Sequence, residues 1–232
     1  MTTWLVSIAT ALLLLGASVA AFLTPAWVGF EQDRSGAPAL TGYTETEVRT
    51  VTAGILGDLV LDRGDFDQTV AGAPVLTDAE RSHMRDVRGV FAGFGALVML
   101  AAVTLVLTWR GARERDSRSR WWRAARRGAV GLAVAIAALG VLALVAFDAA
   151  FEVFHRLFFA AGTYDFDPRT SRLVQLFPDQ FWSETTIVVA ALAIVLALAA
   201  AWLAARQLAR GASARPDPAV DASSLSVRRV AR

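Results

Sequence analysis

Four apolar segments that contain no charged residue constrain this chain more than any other feature of its sequence. They lie at residues 4–23, 90–109, 128–147 and 186–203, and each approaches the roughly 20 residues that an α-helix needs to cross a bilayer. In the whole chain 55% of the residues are hydrophobic and only 19% are charged, a composition too apolar for an ordinary soluble domain. We therefore predict an all-α membrane protein with four transmembrane helices.

The first apolar segment has a second interpretation, as a secretory signal peptide, because Ser18-Val19-Ala20 resembles a small-residue cleavage site. The lack of a positive residue before Trp4 and the length of the apolar run favour a retained span instead. The chain contains no cysteine, which excludes disulfides, thiol catalysis and cysteine-ligated metal clusters.

Arginine is concentrated between the second and third segments and in the C-terminal tail. Residues 110–127 hold eight arginines, and short arginine-rich connections remain on the cytoplasmic side of a membrane. We therefore expect both termini in the cytoplasm, and residues 24–89 and 148–185 outside. The arginines then set the orientation of the chain in the membrane and contact anionic lipid headgroups. No nucleic-acid partner is expected. Residues 209–232 lack apolar periodicity and are predicted to form a disordered cytoplasmic tail.

The first outer segment carries two helix-start signals. Thr44 and Glu47, and later Thr77 and Glu80, have the spacing of a capping box, in which the side chain of each residue accepts from the free backbone N–H of the other. An apolar face at helical spacing follows the first box: Val48, Val51, Ile55 and Leu59. No proline interrupts the chain between the second box and the second span. These signals predict a small, mainly helical extracytoplasmic cap over the four spans.

The chain has only two histidines, and each lies just beyond an apolar segment. His83 precedes Val90 by seven residues, and His155 follows Phe147 by eight. If both helices continue, each imidazole stands roughly 10–12 Å beyond the apolar core. Both then lie on the same side of the membrane at nearly the same height, which predicts a pair.

Four carboxylates lie at helical spacing from the histidines: Asp148 and Glu152 before His155, and Glu80 and Asp86 on either side of His83. A carboxylate that accepts from one ring nitrogen fixes the tautomer and raises the basicity of the other nitrogen. Polar clusters at the mouth of a membrane bundle often have a functional role. The sequence therefore favours chemistry over plain packing for the two imidazoles.

Three sequence blocks resemble one family of small bacterial integral membrane proteins, the family that includes the lipoprotein intramolecular transacylase. They are E-x-x-H-M-x-D-V at residues 80–87, F-D-x-x-F-x-x-F-H-x-L-F-F at residues 147–159, and D-P-x-T-x-x-L-V-x-L-F-P-x-x-F-W at residues 167–182. The resemblance extends over nearly the whole chain. Tyr164 and Ser171 depart from the family pattern, in which tryptophan and an acidic residue are expected.

The resemblance implies a four-helix membrane bundle under an extracytoplasmic cap, in the bacterial cytoplasmic membrane. The implied activity moves one acyl chain from the glyceryl group on the N-terminal cysteine of a lipoprotein to the amino group of that same cysteine. The product is an N-acylated lyso-form lipoprotein. The implied partners are the diacylated lipoprotein N-terminus and membrane phospholipid. The family's two functional histidines map onto His83 and His155.

Such a reaction needs a base, because an α-ammonium group with a pKa near ~8 must lose a proton before it attacks an ester. A histidine is well matched to that task, and a second one can return a proton to the departing alkoxide. We predict His155 and His83 as the acid–base pair, with Asp148 as the first orienting residue and Asp86 as the second. No metal or cofactor is expected.

The predicted substrate-binding residues come from the segments around the two histidines. Arg156, Arg85 and the Tyr164 hydroxyl are candidates to stabilise the oxyanion that forms during acyl transfer. The full predicted set is Arg156, Tyr164, Arg85, Glu152, Phe158 and Phe159. The two phenylalanines belong to an aromatic collar, which either anchors the protein at the membrane interface or lines a slot for acyl chains.

Two other functions fit the same residues. The imidazoles together with Asp148, Glu80 or Asp86 would suit zinc or iron in a metal-dependent lipid-modifying enzyme, although the sequence has no HExxH pattern. A non-catalytic membrane scaffold or lipid-binding protein is the second alternative. That alternative predicts that both histidines can be replaced without consequence.

Overall fold

The computed structural model describes residues 3–213, without the side chains of residues 141–145. Over this range the chain is mostly helical, as predicted, with one short hairpin that the sequence did not indicate. The helices are α1 (Thr3–Phe22), α2 (Pro25–Arg34), α3 (Ala37–Thr41), α4 (Glu45–Leu61), α5 (Asp78–Gly111), α6 (Arg115–Val145), α7 (Phe147–Phe158), α8 (Arg172–Leu176) and α9 (Asp179–Ser213). The hairpin pairs β1 (Thr69–Val70) with β2 (Ala73–Pro74) in antiparallel register.

Four long helices, α1, α5, α6 and α9, pack into a bundle. Among the residues with described side chains, three of these helices are long and apolar enough to cross a membrane: α1, α5 and α9. The third predicted span, residues 128–147, lies mainly in α6, which packs against α1 and α9. Three spans are therefore supported by length and composition, and the crossing by α6 stays a prediction.

Small residues allow α1 and α6 to approach closely. A Cβ atom added to Gly128 of α6 would come within 2.1 Å of the carbonyl oxygen of Ser7 in α1. The Ser7 hydroxyl donates to the carbonyl of Ala124 at 2.8 Å. Glycine, alanine and serine are the residues that let helix backbones meet inside a membrane bundle, where lipid is as apolar as the side chains.

The shorter elements form a cap at one end of the bundle, where α1 ends and α5 and α9 begin. Both predicted capping boxes are present, and α5 runs unbroken from the second box into its apolar stretch. The indole N–H of Trp27 in α2 donates to Thr185 of α9 at 3.3 Å. The apolar core of the cap consists of Val48, Val51, Ile55, Phe66, Val75, Leu76, Met84, Leu173 and Leu176. Its position outside the cell stays a prediction.

Two predicted boundaries were wrong. Helix α6 ends at Val145 and α7 begins at Phe147, because Ala146 (φ −146°, ψ 55°) leaves the helical region. His155 is therefore carried by a separate short helix, whose polar and apolar faces suit a position along the membrane surface. At the other end of the chain, α9 continues to Ser213 through part of the predicted tail. Residues 214–232 of that tail lie outside the described residues.

A buried carboxylate lies where α2 meets α9. Glu31 is only 2% exposed, and its Oε2 lies 3.8 Å from the Nε of Arg34. Arg34 in turn donates to Glu184 at 2.7 Å. The pKa of Glu31 is raised from its ordinary value of 4.5 to about 7, first by burial and then by the nearby Glu184 carboxylate, while Arg34 opposes the rise.

This raised pKa predicts a pH-dependent stability. The folded protein keeps a proton on Glu31 that the unfolded chain releases, so the stabilisation is complete below the unfolded pKa and is lost as the pH rises toward about 7. We expect the melting temperature in detergent to fall between about pH 5 and about pH 8. Glu31→Gln should remove most of this slope, whereas Glu45→Gln, at an exposed position, should keep it. Equal slopes in the wild-type and Glu31→Gln proteins would contradict the prediction.

Candidate active site

The structure brings the two histidines together at the cap end of the bundle. The ring centroids of His83, on α5, and His155, on α7, are 6.2 Å apart, and the rings are inclined by only 21°. The juxtaposition predicted from the two segments is confirmed, although the break at Ala146 means that α7 rather than a continued α6 delivers His155. The catalytic roles of both residues stay predictions.

His83 is buried among aromatic rings. Its side chain is 7% exposed, with the rings of Phe159 and Phe166 at 4.8 and 5.8 Å. Its Nδ1 has no hydrogen-bond partner among the described residues. Burial lowers the pKa of His83, the neighbouring His155 lowers it further, and Asp86 opposes them. The imidazole is therefore held toward its neutral form, in which one ring nitrogen accepts a proton.

His155 is oriented by the backbone of its own helix. Its Nδ1 lies 2.8 Å from the carbonyl oxygen of Phe151. A carbonyl only accepts, so Nδ1 carries the hydrogen and the Nε2 lone pair is free in the neutral ring. The ring also packs against those of Phe151 and Tyr164, with centroids at 4.1 and 5.0 Å. These contacts fix both the tautomer and the direction of the imidazole.

Asp148 does not take the orienting place that the sequence predicts for it. Over the described residues, no hydrogen bond or ion pair joins Asp148 to His155, because the carbonyl four residues before the histidine is closer than a carboxylate two turns away. We therefore expect Asp148→Asn to keep the acyl transfer that the family resemblance implies within about tenfold of wild type, since the group that fixes the tautomer remains. Transfer would be followed by mass spectrometry of the substrate peptide. A loss as large as that of a histidine variant would restore Asp148 as the orienting residue.

Three predicted substrate-binding residues lie side by side next to His155. The Nε of Arg156 donates to Glu152 at 2.6 Å, and this bond raises the pKa of Arg156. The Tyr164 hydroxyl stands 3.5 Å from the same carboxylate oxygen, a distance at the outer limit of a hydrogen bond. The group places a cation and a hydroxyl donor close to the imidazole.

Two other predicted residues have different surroundings. Arg85 donates to Asp65 at 2.8 Å, and Arg81 donates to the same carboxylate at 3.0 Å. The Arg85 guanidinium is thus engaged with the loop before β1, which gives it a structural partner that sequence reasoning missed. Asp86 acts on His83 through its charge.

Helix α7 is amphipathic, and none of its residues is buried. Its polar groups share one face: Asp148, Glu152, His155 and Arg156. The opposite face exposes apolar side chains, with Val153 at 65% and Leu157 at 75%. Of the two predicted phenylalanines, Phe158 belongs to this exposed face at 47%, whereas Phe159 is buried against His83.

The carboxylates proposed as metal ligands are not gathered around the imidazoles. In the part of the chain that the structure describes, no group of three or more His, Cys, Asp or Glu side chains is arranged to hold a metal ion. Glu80 is instead engaged by hydrogen bonds from Thr77, Ser171 and Leu173.

Comparisons with known proteins identify the family and the fold. A family model of the lipoprotein intramolecular transacylase Lit matches residues 3–182, whereas no curated protein matches the sequence. The solved structure of the membrane-integral lipoprotein intramolecular transacylase Lit from Bacillus cereus is similar, with a TM-score of 0.72 and 18% identity over 92% of this chain and 96% of that chain.

Two further structures of the Bacillus cereus protein, with one histidine replaced by arginine or by alanine, give TM-scores of 0.70 and 0.69. Their identities are 17% and 18%, over 92% of this chain and 93% or 94% of theirs. At these identities the structural likeness shows the fold. The family match covers most of the sequence, and the chain therefore belongs to the lipoprotein intramolecular transacylase family, a family of membrane acyltransferases.

Proposed function

We propose that this protein transfers an acyl chain within a bacterial lipoprotein, from the glyceryl group on the N-terminal cysteine to the α-amino group of that cysteine. The single observation that carries this proposal is the pair of imidazoles with centroids 6.2 Å apart, at the end of a membrane bundle. The product is the N-acyl lyso-form lipoprotein. Family membership supports acyl transfer as the class of reaction. The proximity of the two imidazoles supports proton transfer by the histidines.

His155 is the base in this proposal. Its Nδ1–H is held by the Phe151 carbonyl, so Nε2 is free to take a proton from the α-ammonium group. The free amine then attacks the ester carbonyl and forms a C–N bond. When the tetrahedral intermediate collapses, the ester C–O bond breaks, one neutral imidazole of the pair takes the second proton from the nitrogen, and a protonated imidazole gives a proton to the glyceryl oxygen; the remaining proton is released to solvent. The overall exchange converts an ester and an amine into an amide and an alcohol.

Arg156 and Tyr164 are the candidates to stabilise the oxyanion. Both contact Glu152 beside His155, and a positioned cation or hydroxyl lowers the energy of the charge that develops on the ester oxygen. Glu152 orients the two donors toward one place. Its charge also balances the guanidinium when no substrate is bound.

The acyl chains reach the site from the membrane along α7. This helix follows the end of α6 directly, and Phe159, the residue after its last turn, packs against His155 with ring centroids 5.5 Å apart. An amphipathic helix of this kind lies in the interface with its apolar side chains among the lipid tails. Membrane phospholipid is thus a partner in the sense that it surrounds the substrate chains and this helix.

The arginine-rich connection at residues 110–127 supports the orientation. It lies at the end of the bundle opposite the histidines, where Arg115 of α6 donates to the carbonyl of Gly211 in α9 at 2.9 Å. Arginine-rich connections stay cytoplasmic. The site then faces outward from the bacterial cytoplasmic membrane, with both termini in the cytoplasm.

Mass spectrometry of a lipoprotein N-terminal peptide tests the proposed function. A diacylated lipoprotein is produced in cells with this protein or with an empty vector. The expected result is one acyl chain on the α-amino group at unchanged total acyl mass, only when the protein is present. A peptide that keeps both chains on the glyceryl group and a free amine would overturn the proposal. Transfer by purified protein in the presence of a chelator would in turn argue against the metal-dependent alternative.

A further inference from the structure

A buried carboxylate stands one helical turn before His83 and connects two distant parts of the cap. Glu80 is 1% exposed. One of its oxygens accepts from the backbone N–H and the hydroxyl of Thr77, at 2.7 and 2.9 Å, and completes the capping box of α5. The other accepts from the hydroxyl of Ser171 and from the backbone N–H of Leu173 at 3.0 Å. Both oxygens are engaged, and half of the bonds go to a segment 91 residues away.

That segment, residues 166–176, is named the strap below. It is braced internally, because the backbone N–H of Ser171 donates to Asp167 at 2.8 Å and the Gln175 amide donates to Pro168 at 3.1 Å. Its first residue is Phe166, whose ring contacts that of His83 at 5.8 Å. These bonds tie the strap together, so a displacement of it would also displace Phe166, which covers the imidazole.

These hydrogen bonds offset the desolvation cost of burying the Glu80 carboxylate. Burial would raise the pKa of Glu80, but the bonds from Ser171, Leu173 and Thr77 outweigh it and hold the pKa below its usual value. An ionised carboxylate in this position is stable only while the strap is in place, because an unpaired buried charge is costly. The charge and the closed strap are thus mutually dependent.

We propose that Glu80 is a positioning residue that holds the strap closed over His83. Through the strap it keeps Phe166 on the imidazole and water away from it, so that His83 retains its place opposite His155. Its relevance to acyl transfer rests on the function proposed above, whereas its effect on the cover of His83 does not. Glu80 itself touches neither imidazole among the contacts described and acts through the strap.

The chain contains its own matched control. Glu47 forms the same capping box with Thr44, with bonds of 2.8 Å to the Thr44 backbone N–H and to its hydroxyl, but this box lies at the surface of α4. In both Glu47→Gln and Glu80→Gln the amide oxygen can still accept the hydrogen bonds from the capping threonine. Only in Glu80→Gln does the amide N–H₂ group face another donor, the backbone N–H of Leu173. The comparison therefore separates the strap contact from the helix cap.

Labelling with diethylpyrocarbonate tests this inference in the purified full-length protein. The reagent modifies accessible neutral imidazoles, and the chain has only two histidines, so peptide mass spectrometry gives a His83-to-His155 labelling ratio. We expect this ratio to rise about tenfold in Glu80→Gln, because losing a hydrogen bond to a buried charge shifts a local opening equilibrium by that order. Glu47→Gln should leave the ratio unchanged.

Ser171→Ala provides a second variant, which leaves the carboxylate in place but removes one hydrogen bond to Glu80 together with the N-cap bond from the Val174 backbone N–H. It should raise the ratio in the same direction by a smaller factor. If Glu80→Gln unfolds, both histidines become labelled equally, and Ser171→Ala then decides. An unchanged ratio in a folded Glu80→Gln protein, or in Ser171→Ala when Glu80→Gln unfolds, would overturn the inference. Absence of acyl transfer by the wild-type protein would refute the proposed function without altering this ratio.

Discussion

Replacing His155 by alanine is expected to abolish acyl transfer to the α-amino group while the protein still folds and inserts. The variant removes the proposed base, whose tautomer is fixed because the Phe151 carbonyl holds Nδ1 and leaves Nε2 free. General-base catalysis contributes about 10²–10⁴ to rate, so at least a hundredfold loss follows. The fold should survive, because no residue of α7 is buried.

The measurement is the fraction of substrate peptide that carries an N-acyl group after co-expression with each variant. Membrane-fraction yield and melting temperature in detergent show whether the variant protein is intact. Glu45→Gln, at an exposed position of the cap, is the control and should transfer normally. A His155→Ala protein with full activity would refute both the base assignment and the catalytic interpretation of the histidine pair, and would favour the scaffold alternative.

Sequence reasoning succeeded where the determining forces are local. Capping boxes, apolar segments and helical faces depend on residues within a few positions of each other, so α4, α5 and their caps were predictable. The proximity of the two histidines was also predicted, from their equal distance beyond the apolar segments. That prediction assumed that α6 continues to His155, whereas the separate helix α7 carries this residue.

The remaining features of the site depend on contacts between distant residues. Ser171 and Glu80 are 91 positions apart, and no local pattern in a serine-containing loop indicates that its hydroxyl will complete a buried carboxylate. Asp65 likewise pairs with Arg81 and Arg85 across a loop of irregular conformation. The break at Ala146 contains neither glycine nor proline, the residues that usually signal the end of a helix. Such features became visible only in the folded chain.

Replacing Gly128 by alanine is expected to destabilise the bundle, unlike the same change at Gly131 or Gly140 of α6, where an added Cβ meets nothing within 4 Å. The added Cβ would lie 2.1 Å from the Ser7 carbonyl oxygen and 2.8 Å from its carbonyl carbon. These are backbone atoms of α1, so no rotamer change relieves the contact and the two helices must separate. Overpacking of this kind costs about 1–3 kcal/mol, and the separation would also stretch the hydrogen bond from Ser7 to Ala124.

Gly131 supplies the control, because it lies three residues later on the same helix and an added Cβ there meets nothing within 4 Å. Alanine is a better helix former than glycine by up to about 1 kcal/mol, so Gly131→Ala should raise the melting temperature in detergent or leave it unchanged. Gly128→Ala has the same gain in helix propensity. A fall of several degrees in its melting temperature would therefore report the clash between the added Cβ and the Ser7 backbone. If the two variants melt at the same temperature, α1 and α6 do not meet at Ser7 and Gly128. The bundle would then have to be closed by α9, which packs against both helices.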